Sequence, residues 1–223
     1  QGRLPEAVKH EAAALGLPMY AVPSEFGGVA EQQSPVTSVL IAEQLAWGDM
    51  ALAIRLLAPF SVAQAISCWG NGEQQSRYLP AFCEDTPPVA SLAIDEPTPL
   101  FNPMQPSTTA TETDQGYRIN GEKSFVIAGA ECELLLVSAA LNGTPRVFII
   151  ETAGLNLAIA DTPGMGLRAA EATSVRFDNL DVPAEASTGK AAWPACCAMR
   201  KAWRSEPTVS NCSVATALLK NTR

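Results

Sequence analysis

The chain is poor in the residues that most metal centres and hydrolytic triads need. Its 223 residues include a single histidine, His10, and six cysteines whose spacings match no zinc-binding pattern. No serine has a histidine and an acid at triad spacing. The sequence therefore predicts neither a metal site nor a triad hydrolase. We interpret the cysteines as scattered thiols of a reducing, cytoplasmic environment.

Long apolar runs and a basic charge balance are also missing. No uninterrupted apolar run reaches about 18 residues, the length that spans a bilayer, so we expect no membrane span. The net charge of −8 argues against a protein that binds nucleic acid by neutralising phosphates. Apolar residues at 47% and charged residues at 17% are typical of a globular chain.

Charge divides the chain unevenly. Residues 1–189 hold 9 Lys or Arg against 22 Asp or Glu, whereas residues 190–223 hold 6 against 1. This tail mixes Cys, Trp, Arg and Ser without a helical stripe, so we predict that it packs weakly. A divergent helix, a disordered end and a frame-shifted stretch are three open interpretations. Because the chain also begins with Gln rather than Met, we interpret it as a fragment.

The periodicity of the apolar residues changes near residue 88. Helical signals come first, and they predict helices over 5–15, 35–47, 51–69 and 71–82, with Pro59 kinking or splitting the third. Residues 19–22 are expected to be extended. Short β-prone runs follow, over 89–94, 107–113, 117–127, 134–139, 146–150 and 174–177.

Turn signals among these runs indicate the class of sheet. Asn120-Gly121 and Asn142-Gly143 each predict a tight hairpin. Strands and helices do not alternate, which argues against a parallel nucleotide-binding sheet. We predict an α+β fold, with an amino-terminal helical bundle over 1–87 and an antiparallel β-sandwich or barrel-like domain over 88–189. An irregular tail over 190–223 would follow.

Several phrases, taken in order, resemble the acyl-CoA dehydrogenase family. In the helical part they are VPSEFGG at 22–28, EQL at 43–45 and GNGEQQSRYLP at 70–80. In the β part they are DEP at 95–97, NGEK at 120–123, MGLR at 165–168 and FDNLDVP at 177–183. The resemblance covers residues 4 to about 189. It implies the family's amino-terminal helical and middle β-domains, with no counterpart of its carboxy-terminal helical domain.

The resemblance also implies an activity. Members of the family are flavoproteins that use FAD to oxidise an acyl-CoA thioester between Cα and Cβ in fatty acid metabolism. An electron-transfer flavoprotein would accept the electrons, and the complete protein would be a homo-oligomer. The family's catalytic base is a glutamate of the carboxy-terminal domain. No catalytic residue can therefore be matched here, and we expect these residues alone to be inactive.

In the family, two segments touch the flavin, and the resemblance carries them onto eight residues of this chain: Leu92, Ala93, Ile94, Asp95, Phe101, Phe125, Val126 and Ile127. Phe125 replaces a tryptophan and keeps a flat ring, whereas Ile127 replaces a threonine and lacks its hydroxyl. Asp95 replaces another threonine, and its charge would oppose an anionic reduced flavin unless a proton or a cation neutralises it. Leu100 and Phe101 replace a glycine–serine turn that usually meets phosphate.

Alternatives stay open from the sequence alone. We interpret Glu96 as a support of its loop rather than as a catalytic acid. Arg168 would reach a phosphate or a neighbouring subunit, or form a structural salt bridge. The same fold also serves flavin-dependent monooxygenases and nitroalkane oxidases. The changes at Asp95, Phe101 and Ile127 also leave open a flavin-free relative that acts as a binding scaffold.

Overall fold

The computed structural model describes residues 6–29, 35–162 and 164–188. The predicted weak packing of the tail over 190–223 lies outside the described residues. Within them, four α-helices precede the sheet: α1 (Glu6–Ala14), α2 (Pro35–Gly48), α3 (Met50–Trp69) and α4 (Gly72–Tyr78). The first three match the predicted helices to within one residue at each end. The predicted fourth helix is divided, because Pro80 opens a separate 3₁₀ turn at Pro80–Cys83.

Helix α3 is the central element of the helical region. It begins at a cap formed by Asp49, whose Oδ1 accepts the backbone N–H groups of Ala51 and Leu52 at 2.8 and 3.0 Å. The helix continues without a break through Pro59, so of the predicted kink or split, the split is wrong and the kink stays a prediction. Buried residues lie on both sides of the proline, and this packing outweighs the backbone hydrogen bond that a proline removes.

Among the described helices, α3 is long and apolar enough to cross a membrane by length and composition, with a mean hydropathy of 1.5. Half of that stretch is buried within the protein itself. Val62, Ala63 and Ile66 are fully enclosed, which is typical of the core helix of a globular domain. Helix α2 differs: none of its described side chains, at 37–48, is fully buried, and Trp47 is 91% exposed.

A short segment before α2 corrects another expectation. Residues 19–22 were expected to be extended, but Leu17–Ala21 forms a 3₁₀ turn. Pro18 stands at the start of this turn, where its fixed φ suits helical geometry. The turn packs on α3, and the hydroxyl of Ser67 donates to the carbonyl of Ala21 at 3.0 Å.

One curled sheet follows the helices. Its seven strands are β1 (Ala90–Ala93), β2 (Thr109–Thr113), β3 (Gly116–Ile127), β4 (Leu134–Leu141), β5 (Thr144–Glu151), β6 (Ala158–Asp161) and β7 (Ala172–Pro183). They are ordered β1-β4-β2-β3-β7-β6, and β5 pairs with β4. The predicted fold class, a helical region followed by a barrel-like β-module, is confirmed. The short strand β6 was not predicted.

In detail the sheet is mixed rather than wholly antiparallel. Both β1 and β2 pair in parallel with β4, whereas the ladders β2–β3, β3–β7, β6–β7 and β4–β5 are antiparallel. Because β5 occupies one edge of β4 along its whole length, β1 and β2 follow each other along the other edge. They leave Ser138 and Ala139 without a strand partner on that edge. The 94–108 loop leaves the sheet at this gap and returns to it.

The two Asn-Gly pairs have different structures. Asn142 and Gly143, with φ of 50° and 75°, form the predicted hairpin between β4 and β5. The hairpin predicted at Asn120-Gly121 is wrong, because these residues lie inside β3 at a shift in its register with β7. A Cβ built on Gly121 would lie 2.7 Å from the Cα of Thr108. Glycine is required there by the close approach of another backbone.

The helical region and the sheet share one apolar core. It joins Phe60, Ile66 and Phe82 of the helical region to Leu136 and Ile149 of the sheet. A polar contact strengthens this junction: the amide nitrogen of buried Gln74 donates to the carbonyls of Glu185 and Ser187 at 2.7 and 3.2 Å. The same side chain completes the capping box of α4. The loops at the edge of the sheet are therefore held by a rigid base.

Candidate functional site

The 94–108 loop is anchored by a fully buried ion pair. The Nζ of Lys123, on β3, lies 2.9 Å from Oε1 of Glu96, and their side chains are 0% and 2% exposed. Nζ also donates to the carbonyl of Ile94 and to the hydroxyl of Ser138, both at 3.0 Å. All three donors of the ammonium are thus used, as a buried charge requires.

Glu96 is equally well satisfied. Its Oε1 accepts the backbone N–H of Thr108 at 2.8 Å, and its Oε2 accepts that of Ser107 at 2.7 Å. Burial alone would raise the pKa of Glu96, but the hydrogen bonds from Lys123, Thr108 and Ser107 outweigh it and lower the pKa to about 2. The sequence-based interpretation of Glu96 as a loop support agrees with these contacts.

The two segments predicted to hold a flavin meet directly. The backbone N–H of Ser124 donates to the carbonyl of Asp95 at 2.9 Å. One residue earlier on β3, the ammonium of Lys123 lies 5.7 Å from the ring centre of Phe101. Burial lowers the pKa of Lys123, whereas the charges of Glu96 and Asp95 raise it. A single ammonium therefore faces two carboxylates, and its charge offsets that of Asp95 only in part.

The eight predicted contact residues differ in exposure. Asp95 is exposed, Phe125 is 45% exposed, and Leu92, Ile94 and Phe101 are half-buried. Leu92 packs against the core shared with the helices, and Ala93 and Val126 lie inside the core of the sheet. Ile127 is only 7% exposed and packs with Ala51 and Ala170. Ala93, Val126 and Ile127 are thus occupied by the fold, and Val126 and Ile127 are also paired with β7, so none of the three is exposed to a ligand.

Phe125 projects at the wall of a cavity of about 730 Å³. Four non-glycine residues of this wall have positive φ: Phe125, Ala128, Leu167 and Glu171, at 50–57°. Such conformations are uncommon outside glycine and cluster at functional sites. Phe125 owes its φ to a shift in the register of β3 and β7 between Lys123 and Val126. The bulge directs its ring away from the sheet core.

Ion pairs connect the wall of this cavity to helix α3 of the helical region. Glu131, Asp161, Arg168 and Glu171 line it. Arg55 of α3, with a side chain only 4% exposed, reaches Glu131 at 2.8 Å and Glu171 at 3.5 Å. The sequence showed Arg55 only as the single charge of an apolar helix, and it contained no signal for these partners. Arg168 is exposed on the cavity wall, and its predicted roles toward a phosphate, a neighbouring subunit or a structural salt bridge stay predictions.

The site suits a flat, partly polar ring. Phe125 supplies an exposed aromatic face. Ala90, Ser91 and Ala93 of β1 are buried, whereas half-buried Ile94 and exposed Asp95 follow the strand, so a ligand can approach the chain at the end of β1. The 94–108 loop is less suited to phosphate: it holds two carboxylates, four prolines that lack an N–H, and no Lys or Arg. The described residues therefore fit the ring of a flavin, with Arg168 as a cation on the same wall.

Comparison with known proteins gives consistent matches along the chain. Residues 1–86 match the pattern "Acyl-CoA dehydrogenase, N-terminal domain", and residues 91–180 match "Acyl-CoA dehydrogenase, middle domain". The chain is 29% identical over 188 residues to cyclohex-1-ene-1-carbonyl-CoA dehydrogenase of Geobacter metallireducens. That match covers 81% of this chain and 49% of the relative, so the chain spans about half the length of the curated relatives it matches.

Solved structures agree with this result. Butyryl-CoA dehydrogenase from Megasphaera elsdenii superposes with a TM-score of 0.76 at 25% identity, over 89% of this chain and 54% of that protein. An acyl-CoA dehydrogenase from Bacillus anthracis, solved in complex with FAD, superposes with a TM-score of 0.72 at 27% identity. That match covers 83% of this chain and 32% of the Bacillus protein.

Proposed function

The chain belongs to the acyl-CoA dehydrogenase family, and we propose that it forms the flavin-facing half of an enzyme that oxidises an acyl-CoA thioester between Cα and Cβ. The observation that carries this proposal is the backbone hydrogen bond from Ser124 to Asp95, which joins the Asp95 segment to the strand that places Phe125 on the cavity wall. A relative solved with FAD shares this fold over most of the chain, which supports FAD as the cofactor.

In the proposed complex, the described residues contact FAD in two ways, through an aromatic side chain and through the chain at the end of β1. Phe125 would pack against the flavin ring, and the chain at the end of β1, at half-buried Ile94 and exposed Asp95, would face its polar rim. When bound, FAD supplies the acceptor for the hydride of the substrate. The chain's own residues would orient that ring. Buried Ile127 supports the backbone next to Phe125, and exposed Asp95 adds a charge at the edge of the flavin.

The catalytic base is not among the residues that the resemblance matches. In the family it is a glutamate of the carboxy-terminal helical domain, and the matched residues, 1–86 and 91–180, correspond to the other two domains. We therefore expect no measurable oxidation of acyl-CoA by these 223 residues alone. An assay with an artificial electron acceptor tests this, and turnover above the rate of free FAD would contradict it. An electron-transfer flavoprotein as acceptor and a homo-oligomer belong to the same proposal.

Replacing Phe125 tests the cofactor directly. We expect Phe125→Ala to weaken FAD binding about tenfold, because it removes the exposed aromatic face at the cavity wall. Phe125→Trp should keep the affinity, since it retains a flat ring. Quenching of flavin fluorescence on titration with protein measures both. Trp47→Ala is the matched control, because Trp47 is an exposed aromatic residue on α2, outside the cavity wall.

The same titration decides between the proposed enzyme and a flavin-free scaffold. The scaffold is favoured by one observation, the absence of any Lys or Arg from the 94–108 loop. FAD quenching that depends on Phe125 supports the enzyme. A wild-type chain that binds no FAD, even at high concentrations, would favour the scaffold. Bound flavin that NADPH reduces would instead point to a monooxygenase of the same fold.

A further inference from the structure

We infer that Lys123 and Glu96 are positioning residues of the proposed flavin site. Their ion pair sets the spacing between the Asp95 segment and Phe125, although neither side chain is exposed to a ligand. The inference rests on the proposed function and adds to it, because it assigns the geometry of the site to a contact outside the cavity wall.

The contacts of the pair connect the 94–108 loop to the strand that carries Phe125. Lys123 lies two residues before Phe125 on β3 and holds the first residue of the loop through the carbonyl of Ile94 at 3.0 Å. Glu96 holds the end of the loop through the backbone N–H groups of Ser107 and Thr108. Both ends of the 94–108 loop are therefore fastened to the strand that carries Phe125.

The pair also lies where the sheet itself provides no support. Ser138 is in the stretch of β4 that neither β1 nor β2 covers, and its hydroxyl is a partner of Lys123 at 3.0 Å. At this gap the ion pair replaces the missing ladder hydrogen bonds. Without it, Ser124 and Asp95 would keep one backbone hydrogen bond between the two segments. One such bond contributes little net free energy.

The prolines and internal hydrogen bonds of the loop make it stiff, so the restraint at its base also acts on its tip. Four prolines between residues 97 and 106 restrict the backbone. Two backbone hydrogen bonds, from Thr98 to Glu96 and from Gln105 to Asn102, fold the loop on itself. A loop of this stiffness moves as a unit when its base moves. A shift at Glu96 therefore displaces Asp95 and Phe101 relative to Phe125.

The experiment compares Glu96→Gln and Lys123→Met with Arg118→Met. The control removes an ion pair on the same strand, between Arg118 and Asp181 at 2.7 Å, that is exposed and lies outside the loop. Three quantities are measured for each variant: amide hydrogen exchange of residues 95–108, the FAD affinity, and the circular dichroism of the bound flavin. The exchange measurement uses the chain without flavin, so it reports on the loop alone.

We expect Glu96→Gln to speed exchange of the Ser107 and Thr108 amides, to weaken FAD binding about tenfold, and to change the flavin dichroism. Arg118→Met should change none of these. If Lys123→Met does not fold, Ser138→Ala provides the second variant, since it removes one partner of the ammonium and leaves no charge unpaired.

Two results would overturn the inference, and they differ. If the variants lose global stability while loop exchange and FAD affinity stay as in the wild type, the pair serves stability alone. If the wild-type chain binds no FAD, the proposed function fails and the positioning role toward a flavin fails with it. The exchange measurement then shows whether the pair still orders the loop.

Discussion

Lys123→Met is expected to reduce the free energy of unfolding by about 3–5 kcal/mol, because it leaves the buried carboxylate of Glu96 without its cation. Methionine fills most of the volume of the lysine stem, so the loss reports on charge rather than on packing. Urea denaturation followed by far-ultraviolet circular dichroism measures it. The exposed pair of Arg118 and Asp181 provides the control, and Arg118→Met should cost less than about 1 kcal/mol.

A double variant tests whether the unpaired carboxylate of Glu96 causes the loss of stability. Lys123→Met combined with Glu96→Gln leaves no buried charge, so we expect it to be more stable than Lys123→Met alone. If the double variant is less stable than the single one, the destabilisation does not arise from an unpaired carboxylate, and lost packing or hydrogen bonding at Lys123 is its source.

The pH dependence of stability follows from the same carboxylate. The pKa of Glu96 is about 2 in the folded chain against an ordinary value of 4.5. Its contribution is therefore complete above about pH 4.5 and is lost as the pH falls toward 2. Glu96→Gln removes this carboxylate, so the stability of that variant should fall less steeply over the same interval.

Gly121→Ala is expected to cost about 3 kcal/mol or more. Gly121 has a φ of 144°, and a Cβ there would lie 2.7 Å from the Cα of Thr108, which is backbone and does not yield easily. The substitution would also push on the Thr108 N–H that binds Glu96. Thermal and urea unfolding measure the loss.

Gly143→Ala is the matched control for this prediction. Gly143 also follows an asparagine and has a positive φ of 75°, but a Cβ added to it would meet no other atom within 4 Å. Alanine there meets backbone strain alone, at about 1–2 kcal/mol. Equal losses at the two glycines would show that the contact with Thr108 is unimportant.

The same two glycines show how far the sequence could predict the fold. An Asn-Gly pair between β-prone runs indicates a two-residue hairpin, and Asn142-Gly143 forms one. The same signal failed at Asn120-Gly121, because the need for glycine came from Thr108, which precedes β2 and is distant along the chain. Turn propensity is local and carries no information about such an approach.

The candidate site was likewise predictable from the sequence only in part. Motif order selected the Asp95 and Phe125 segments, which the structure joins through Ser124, and their contact with a flavin stays a prediction. The parallel pairing of β1 and β2 along one edge of β4 was not predicted, since strand order depends on contacts distant in sequence. The partners of Arg55 were missed for the same reason, because Glu131 and Glu171 lie far along the chain.

The exposed apolar side chains of α2 affect how unfolding of this chain is monitored. Val39, Leu40 and Trp47 are 64%, 54% and 91% exposed. Dyes such as ANS, which fluoresce on apolar surfaces, should therefore bind the folded chain as well as partly unfolded states. Increased dye fluorescence would not by itself indicate a molten globule, and loss of near-ultraviolet dichroism is the safer criterion.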